Sequence, residues 1–181
     1  MARIELPDPP LTDGVVTLRG WRGSDVDDLY AACQDPEIPR WTLRIPWPYR
    51  VGHARDWVAR QPDMLRAGVG AHFAVVDGQT GQLLGGMGLE PRAGEPTAEL
   101  GYWLAAAARG RGVATRAARL ATAWGLGELG LGRIDARVDE ENVASQAVAQ
   151  RAGFTPAGVI AGVDRNDRPR SFLLYSRTAA L

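Results

Sequence analysis

The stretch AELGYWLAAAARGRGVA, residues 98–114, decides the fold because it joins a strand to a helix through a turn rich in glycine and arginine. Residues 98–104 have the pattern of a strand, and a helix is predicted from near Arg111. The first N–H groups of a helix lack intrahelical partners, and glycine lets an anion approach them closely. Residues 109–114 therefore predict an anion site, although a loose turn with solvated arginines is the alternative that these residues alone leave open.

Outward from this stretch, the predicted order along the chain is a strand, two helices, three strands, a helix, a strand, a helix and two strands. Period-two patterns predict strands at 15–19, 72–77, 82–89, 98–104, 133–139, 154–160 and 171–176. Helical patterns begin at Ser24 and at Asn142, each predicted to be an N-cap, and near Val51 and near Arg111. Pro62 is expected to disturb the second helix, and the proline-rich residues 39–50 to be irregular. This order predicts a mixed α/β sheet with helices on its faces, in one domain over residues 1–181 with a flexible or extended segment at 1–12.

The composition excludes several classes of function. The formal net charge is zero, so no nucleic-acid or membrane partner is expected, and the absence of an apolar leader or span favours a cytoplasmic protein. A single cysteine, Cys33, excludes an internal disulfide and a cysteine-based zinc site. His53 and His72 are isolated in the sequence, so no metal is expected.

Two common phosphate-binding motifs do not fit residues 109–114. A Walker loop requires G-x-x-x-x-G-K-[ST], and the chain contains no lysine. A dinucleotide fingerprint requires G-x-G-x-x-G near the first βαβ unit of a chain. The anion is therefore not expected to be an ATP phosphate held in a Walker loop, and it is not expected to be the diphosphate of a nicotinamide dinucleotide.

Arg109, Gly112 and Ala114 form the pattern R-x-x-G-x-A, which resembles the pyrophosphate loop of the GNAT superfamily of acyl-CoA-dependent N-acetyltransferases. AELGYWL looks like the fourth strand of that family, and NVASQAVAQRAGF, residues 142–154, looks like its motif N-x-x-S followed by G-F. IPWPY at 45–49, followed by ARDWV, is similar to the RimJ/RimL-like branch of ribosomal-protein N-terminal acetyltransferases. The resemblance extends from Val16 to Tyr175.

The resemblance implies a mostly antiparallel sheet of six to seven strands with helices on both faces. The family's fourth and fifth strands, here residues 98–104 and 133–139, would splay apart and admit acetyl-CoA as cosubstrate. The implied cofactor-binding residues are Tyr102, Trp103, Leu104, Arg109, Gly110, Arg111, Gly112, Val113, Ala114, Asn142 and Ser145.

The implied reaction is attack of a neutral primary amine on the thioester of acetyl-CoA. Glu99 is the favoured base, acting through a water, while an exposed carboxylate paired with an arginine is the alternative. Asp139, Glu140 and Asp164 are reserve candidates for the base. Many relatives carry a tyrosine seven residues after the motif asparagine; here that residue is Ala149, so Ser145 is expected to hydrogen-bond the departing sulfur instead.

Trp41, Trp47 and Tyr49 are expected to line the pocket for the amine acceptor, with covering of the core as the alternative. Both a protein N-terminus and a small molecule, such as an aminoglycoside, amino acid or polyamine, fit the resemblance. The resemblance also allows a homodimer. A non-catalytic acyl-CoA-binding or regulatory module is the competing hypothesis for the whole chain.

Overall fold

One twisted sheet of eight strands runs through the molecule, and the computed structural model describes residues 3–179 of the chain. The strands are β1 (Leu11–Thr12), β2 (Val16–Gly20), β3 (Ala71–Asp77), β4 (Leu83–Pro91), β5 (Thr97–Leu104), β6 (Arg133–Asp139), β7 (Thr155–Val163) and β8 (Pro169–Thr178). Their order in the sheet is β1-β2-β3-β4-β5-β6-β8-β7. Every pair of neighbours is antiparallel except β5 and β6, which run parallel. The predicted mixed sheet is therefore confirmed, with β1 as a strand that the sequence patterns missed.

Residues 3–179 contain five α-helices, which lie on the two faces of the sheet. They are α1 (Val26–Ala32), α2 (Glu37–Trp41), α3 (Val51–Ala67), α4 (Val113–Gly127) and α5 (Val143–Arg151). α4 packs on β2, β4, β5 and β6 and contacts α5, whereas α1 and α3 pack on each other and on the opposite face. The sheet thus separates two apolar clusters, a large one beneath α4 and α5 and a smaller one beneath α1 and α3.

Two expectations about proline were wrong. Pro62 does not end or disturb the second helix, because α3 continues through it to Ala67. The buried residues Ala54 and Gln61 and the core contact of Leu65 hold both halves of α3 in place, and this packing outweighs a cost of about 3 kcal/mol for an internal proline. Residues 39–50 are not wholly irregular either, since α2 includes Pro39. Proline is tolerated there because the N–H groups in the first turn of a helix have no intrahelical acceptor, so a missing N–H costs no hydrogen bond.

The N-terminal segment is held against the rest of the molecule. Residues 3–10 form neither helix nor strand, but Ile4 is buried and its N–H donates to Leu65 O at 3.0 Å. The first two residues of the predicted flexible or extended segment, 1 and 2, lie outside the described residues. In the part of the chain that the structure describes, no helix is both long enough and apolar enough to cross a bilayer.

A buried ion pair fixes the start of α1. Arg19 donates two hydrogen bonds to Asp25, at 2.7 and 2.8 Å, and the Arg22 N–H donates a third at 2.8 Å. The predicted cap, Ser24, lies instead in a 3-10 turn over Gly23–Asp25. Burial by itself would raise the pKa of Asp25, but the hydrogen bonds from Arg19 and Arg22 lower it below its usual 3.8.

We expect Asp25→Asn to lower the free energy of unfolding by about 3 kcal/mol at pH 7, because it leaves the Arg19 guanidinium buried without its counter-ion. Because the pKa of Asp25 is lowered by folding, its contribution is complete above the unfolded pKa of about 4 and is lost as the pH falls through the lower folded value. Urea unfolding at pH 7 and pH 3 checks both statements. The exposed pair of Glu37 and Arg40 provides the control, since Glu37→Gln should cost no more than about 0.5 kcal/mol. Equal losses in the two variants would contradict the prediction.

Candidate active site

A cleft opens in the sheet where β5 and β6 diverge. The two strands pair only at Thr97–Arg133, Ala98–Ile134 and Glu99–Asp135. Beyond Glu99, β5 continues to Leu104 beside β4, and β6 continues to Asp139 beside β8. The predicted splay of these two strands is therefore confirmed, and residues 100–104 of β5 present one backbone edge to the cleft.

The cleft has a volume of about 1010 Å³ and passes from one face of the sheet to the other. Most of the residues predicted to form the site line it together: Trp41, Tyr49, Glu99, Tyr102, Trp103, Leu104, Arg109, Gly110, Gly112, Val113, Ala114, Asn142 and Ser145. Two of them do not. Arg111 and Trp47 are exposed and are not among the described residues that line the cleft. Trp47 has 47% of its surface accessible.

The start of α4 presents bare backbone N–H groups to one end of the cleft. Gly112 occupies the N-cap position with φ of +76°, and no side chain of the described residues caps the helix. Gly110 also has a positive φ, +72°. A Cβ on either glycine would meet no heavy atom of the described chain within 4 Å. The turn is therefore open to an anion, which the N–H groups and the helix dipole would attract.

The two arginines of this turn differ in their contacts. Arg109 is engaged in the protein, because it pairs with Asp35 at 2.7 Å and donates to Leu104 O at 2.9 Å. Arg111 is exposed and makes one long hydrogen bond, 3.5 Å, to Ala107 O. Arg109 thus ties the turn to β5 and to the connection between α1 and α2, while Arg111 contributes charge from the surface.

A hydrogen bond spans the cleft between β5 and α5. Tyr102 Oη donates to Ser145 Oγ at 2.9 Å, and the Ser145 N–H donates to Asn142 Oδ1 at 3.0 Å. Asn142 is therefore the N-cap of α5, as the sequence predicted. Burial raises the pKa of Tyr102, and the hydrogen bond to Ser145 opposes that rise only in part. At neutral pH the phenol keeps its proton, and the tyrosine hydroxyl holds the serine oxygen in one place.

Glu99 lies at the point of divergence, between two arginines. Its oxygens are 3.8 Å from Arg92 and 3.4 Å from Arg137, and its side chain is 28% exposed. It faces the same side of the sheet as the α1–α3 layer, as do Gly101 and Trp103, two and four residues further along β5. The carboxylate is thus both accessible from the cleft and paired with arginine.

The reserve carboxylates are placed differently. Asp139 lines the cleft and pairs weakly with Arg170 at 3.9 Å, whereas Glu140 is exposed. Asp164 closes the turn between β7 and β8, where hydrogen bonds from the Arg168 and Asn166 backbone lower its pKa.

The loop between α2 and α3, residues 42–50, roofs the other side of the cleft. Arg165, in the β7–β8 turn, donates to the carbonyls of Pro39, Thr42 and Ile45 at 3.0, 3.2 and 2.9 Å. Arg44 pairs with Glu90 on β4 beneath the loop. These contacts hold the loop as a roof over the face of the sheet that carries Glu99.

Several lining side chains were missed from the sequence. The resemblance implies that Tyr102 binds the cofactor and indicates no role for its hydroxyl, although the alternation in β5 puts this side chain on the same face as Leu100 and Leu104, toward α4 and α5. His72 is isolated in the sequence, yet in the structure it lines the cleft with Trp57 of α3. No local sequence pattern predicts the hydrogen bonds from Arg165 to the carbonyls of Pro39, Thr42 and Ile45. Among residues 3–179, no group of three or more His, Cys, Asp or Glu side chains could hold a metal ion.

Comparisons with known proteins agree with this geometry. The family described as Acetyltransferase (GNAT) domain matches residues 16–155. The uncharacterized N-acetyltransferase p20 of Bacillus licheniformis is 29% identical over 146 residues, which are 80% of this chain and 82% of that protein.

Two solved structures are similar over nearly the whole chain. RimJ of Mycobacterium smegmatis, in complex with CoA-disulfide, superposes with a TM-score of 0.82 at 25% identity, covering 94% of this chain and 86% of its own. RimL, a ribosomal L7/L12 α-N-protein acetyltransferase in complex with coenzyme A, superposes with a TM-score of 0.80 at 19% identity, covering 93% and 96%. At that identity, the likeness to RimL is a likeness of fold.

Proposed function

The chain belongs to the GNAT acetyltransferase family and is an N-acetyltransferase, and from this premise we propose that it moves an acetyl group from acetyl-CoA to a primary amine in the cleft between β5 and β6. The observation that carries the proposal is the divergence of the two strands after Glu99 and Asp135, with the bare start of α4 at one end of the gap. The bound CoA in the RimJ and RimL structures supports the same cosubstrate here.

The cofactor would lie along β5, from the turn at 109–114 into the gap. Its diphosphate would accept hydrogen bonds from the N–H groups of Gly112, Val113 and Ala114, which no side chain of the described residues caps. The edge of residues 100–103 does not pair with β6 in the described chain, so its backbone groups can pair with the two amides of the pantetheine arm, as a neighbouring strand would. Leu104 O, in contrast, already accepts a hydrogen bond from Arg109. Asn142 and Ser145 would approach the sulfur end from α5.

Ser145 and Tyr102 would act on the leaving group. When the neutral amine nitrogen attacks the carbonyl carbon, the C–N bond forms and the C–S bond breaks, the nitrogen gives up one proton to water, and negative charge develops on the departing sulfur. Because Tyr102 donates to Ser145 Oγ, the hydroxyl hydrogen of Ser145 is free to point at that sulfur. The chain of two hydroxyls polarises in the same direction, which strengthens the bond to the thiolate.

Glu99 would remove the proton of the amine through a water. An α-amine titrates near pH 8 and a lysine amine near 10.4, so most of either is protonated at pH 7 and must lose a proton before attack. Glu99 lines the cleft on the same face of the sheet as the aromatic residues of the roof. Asp139 is the next candidate, because it also lines the cleft at the end of β6.

The acceptor would enter beneath the roof formed by residues 42–50. Trp41 and Tyr49 line that part of the cleft, and Trp41 is held by a 3.2 Å hydrogen bond to Glu37 and by stacking of Arg40 at 4.5 Å. A protein N-terminus and a small-molecule amine both remain candidate acceptors.

The proposed function is tested by titrating the protein with acetyl-CoA and then measuring thiol release with a panel of primary amines. We expect binding of acetyl-CoA and release of one thiol for each amine acetylated. Binding without turnover on any amine would favour a non-catalytic acyl-CoA-binding module, and absence of acetyl-CoA binding would refute the proposal.

Tyr102→Phe is expected to lower kcat about 3- to 10-fold with little change in the KM for acetyl-CoA, because it removes one hydrogen bond and keeps the ring in place. Ser145→Ala should lower kcat by about 10-fold or more. If the two hydroxyls act as a chain, the double variant should be no slower than Ser145→Ala alone, which steady-state kinetics will show. Multiplication of the two losses would contradict the chain.

A further inference from the structure

Four rings line the cleft on the face of the sheet that α1 and α3 cover. Trp21, directly after β2, stacks with Trp103 of β5, with ring centroids 6.5 Å apart and planes at 21°. Trp57 of α3 meets His72 of β3 edge to face at 4.9 Å. All four side chains line the cleft. We call this part the aromatic chamber.

Glycines of β4 allow these rings to lie directly on the sheet. A Cβ at Gly86 would lie 2.7 Å from Trp103 Nε1, and a Cβ at Gly88 would overlap His72 Nδ1. Gly101 of β5 is different, because a Cβ there would meet no heavy atom of the described chain within 4 Å. Trp103 and His72 therefore lie directly against β4, whereas the space above Gly101 of β5 is open.

The aromatic chamber contains two buried polar atoms that lack hydrogen-bond partners among the described residues, Trp21 Nε1 and His72 Nε2. His72 is only 8% exposed. Burial, and then the nearby charge of Arg44, lower the pKa of His72 to about 4, so the imidazole is neutral at pH 7. His72 Nε2 lies against Gly70, which is not among the described residues that line the cleft. Buried polar groups are nearly always satisfied in native proteins, and a neutral hydrogen-bonding group of a ligand would satisfy Trp21 Nε1.

The carboxylates of the cleft offer little to a polycation. Of the five in the described chain that line it, three pair with arginine: Glu37 with Arg40, Glu90 with Arg44, and Glu99 with Arg92 and Arg137. Asp139 pairs weakly with Arg170, whose nearer partner is Glu141. The fifth, Asp56, lies on the exposed face of α3. A polyamine or aminoglycoside would bring several ammonium groups next to these guanidinium groups, which would repel them.

Resting on the proposed function, we propose that the acceptor is a primary amine on an uncharged aromatic body that carries a polar group, and that this body occupies the aromatic chamber with its polar group accepting a hydrogen bond from Trp21 Nε1. The amine then extends past Gly101 toward the gap between β5 and β6. A free arylalkylamine and a peptide whose N-terminal residue is aromatic share this chemistry.

The test compares acceptors at saturating acetyl-CoA. The probes are tyramine, 2-phenylethylamine, a tripeptide with N-terminal tyrosine, spermidine and kanamycin. We expect kcat/KM for the better of tyramine and the tripeptide to exceed that for spermidine and kanamycin by about 10-fold or more, and their ratio to distinguish the free amine from the peptide. A preference for either polycation would overturn the inference while leaving the proposed function intact. Turnover of none of the five amines would count against the inference and the proposed function alike.

A substitution isolates the hydrogen bond to the indole. Trp21→Phe keeps an aromatic ring and removes the N–H, so the preference for tyramine over 2-phenylethylamine, expected to be about 3- to 10-fold, should fall to about one. Trp124→Phe makes the same change on the opposite face of the sheet and should leave that ratio unchanged. Quenching of tryptophan fluorescence by tyramine in the CoA complex gives a second readout that does not need turnover. An unchanged ratio in Trp21→Phe, or no saturable quenching, would refute the assignment.

Discussion

Replacing Gly112 with valine is expected to weaken the binding of acetyl-CoA about 10- to 100-fold. Gly112 has φ of +76° at the start of α4, and a β-branched residue held in that region costs roughly 1–3 kcal/mol. The valine side chain would also fill the space next to the N–H groups that the diphosphate needs. Isothermal titration calorimetry with CoA measures the loss.

A matched control separates backbone strain from loss of the binding site. Gly94 has φ of +79° and is equally open to a Cβ, but it lies in the β4–β5 turn, outside the residues that line the cleft in the described chain. Gly94→Val should lower stability by a similar amount and leave CoA affinity unchanged. Arg111→Ala should weaken CoA binding less than Gly112→Val and more at low salt than at high salt, because Arg111 acts by charge from the surface. Equal affinity for CoA in Gly112→Val and the wild type would refute the phosphate site.

Glu99→Gln is expected to lower kcat about 10²- to 10⁴-fold, the usual effect of removing a general base, with little change in the affinity for acetyl-CoA. Glutamine keeps the size and some hydrogen bonding of the side chain, so the loss reports on the proton acceptor. Steady-state rates over pH 6 to 9 measure it. The loss should shrink toward high pH, where a growing share of the amine is already neutral.

The competing role for Glu99 is structural, as the partner of Arg92 and Arg137. A structural role would lower the thermal midpoint and would change kcat by the same factor at every pH. Asp139→Asn is the comparison, because Asp139 also lines the cleft. If Asp139→Asn is slow and Glu99→Gln keeps more than half the wild-type kcat, then Asp139 is the base and the assignment of Glu99 is wrong.

Local patterns predicted most of the elements, because alternation and helical spacing depend on residues close together in the chain. The strand predicted at 133–139 is β6 to the residue, and the helix predicted from near Arg111 begins at Val113. The failures share a cause. β1 is two residues long and exists because Leu11 and Thr12 pair with β2, while α3 survives Pro62 because its buried face is held by the sheet and α1.

The sequence by itself determined the family resemblance, the turn at 109–114 and the cap of α5 by Asn142, since each depends on spacings of a few residues. Only the tertiary structure decided which side chains meet in the cleft. Tyr102 and Ser145 are 43 residues apart, and Arg165 reaches carbonyls more than 100 residues earlier. Such contacts follow from how far β5 and β6 diverge and from which face each side chain takes. These features depend on packing across the whole sheet, so they cannot be predicted from any short stretch of the sequence.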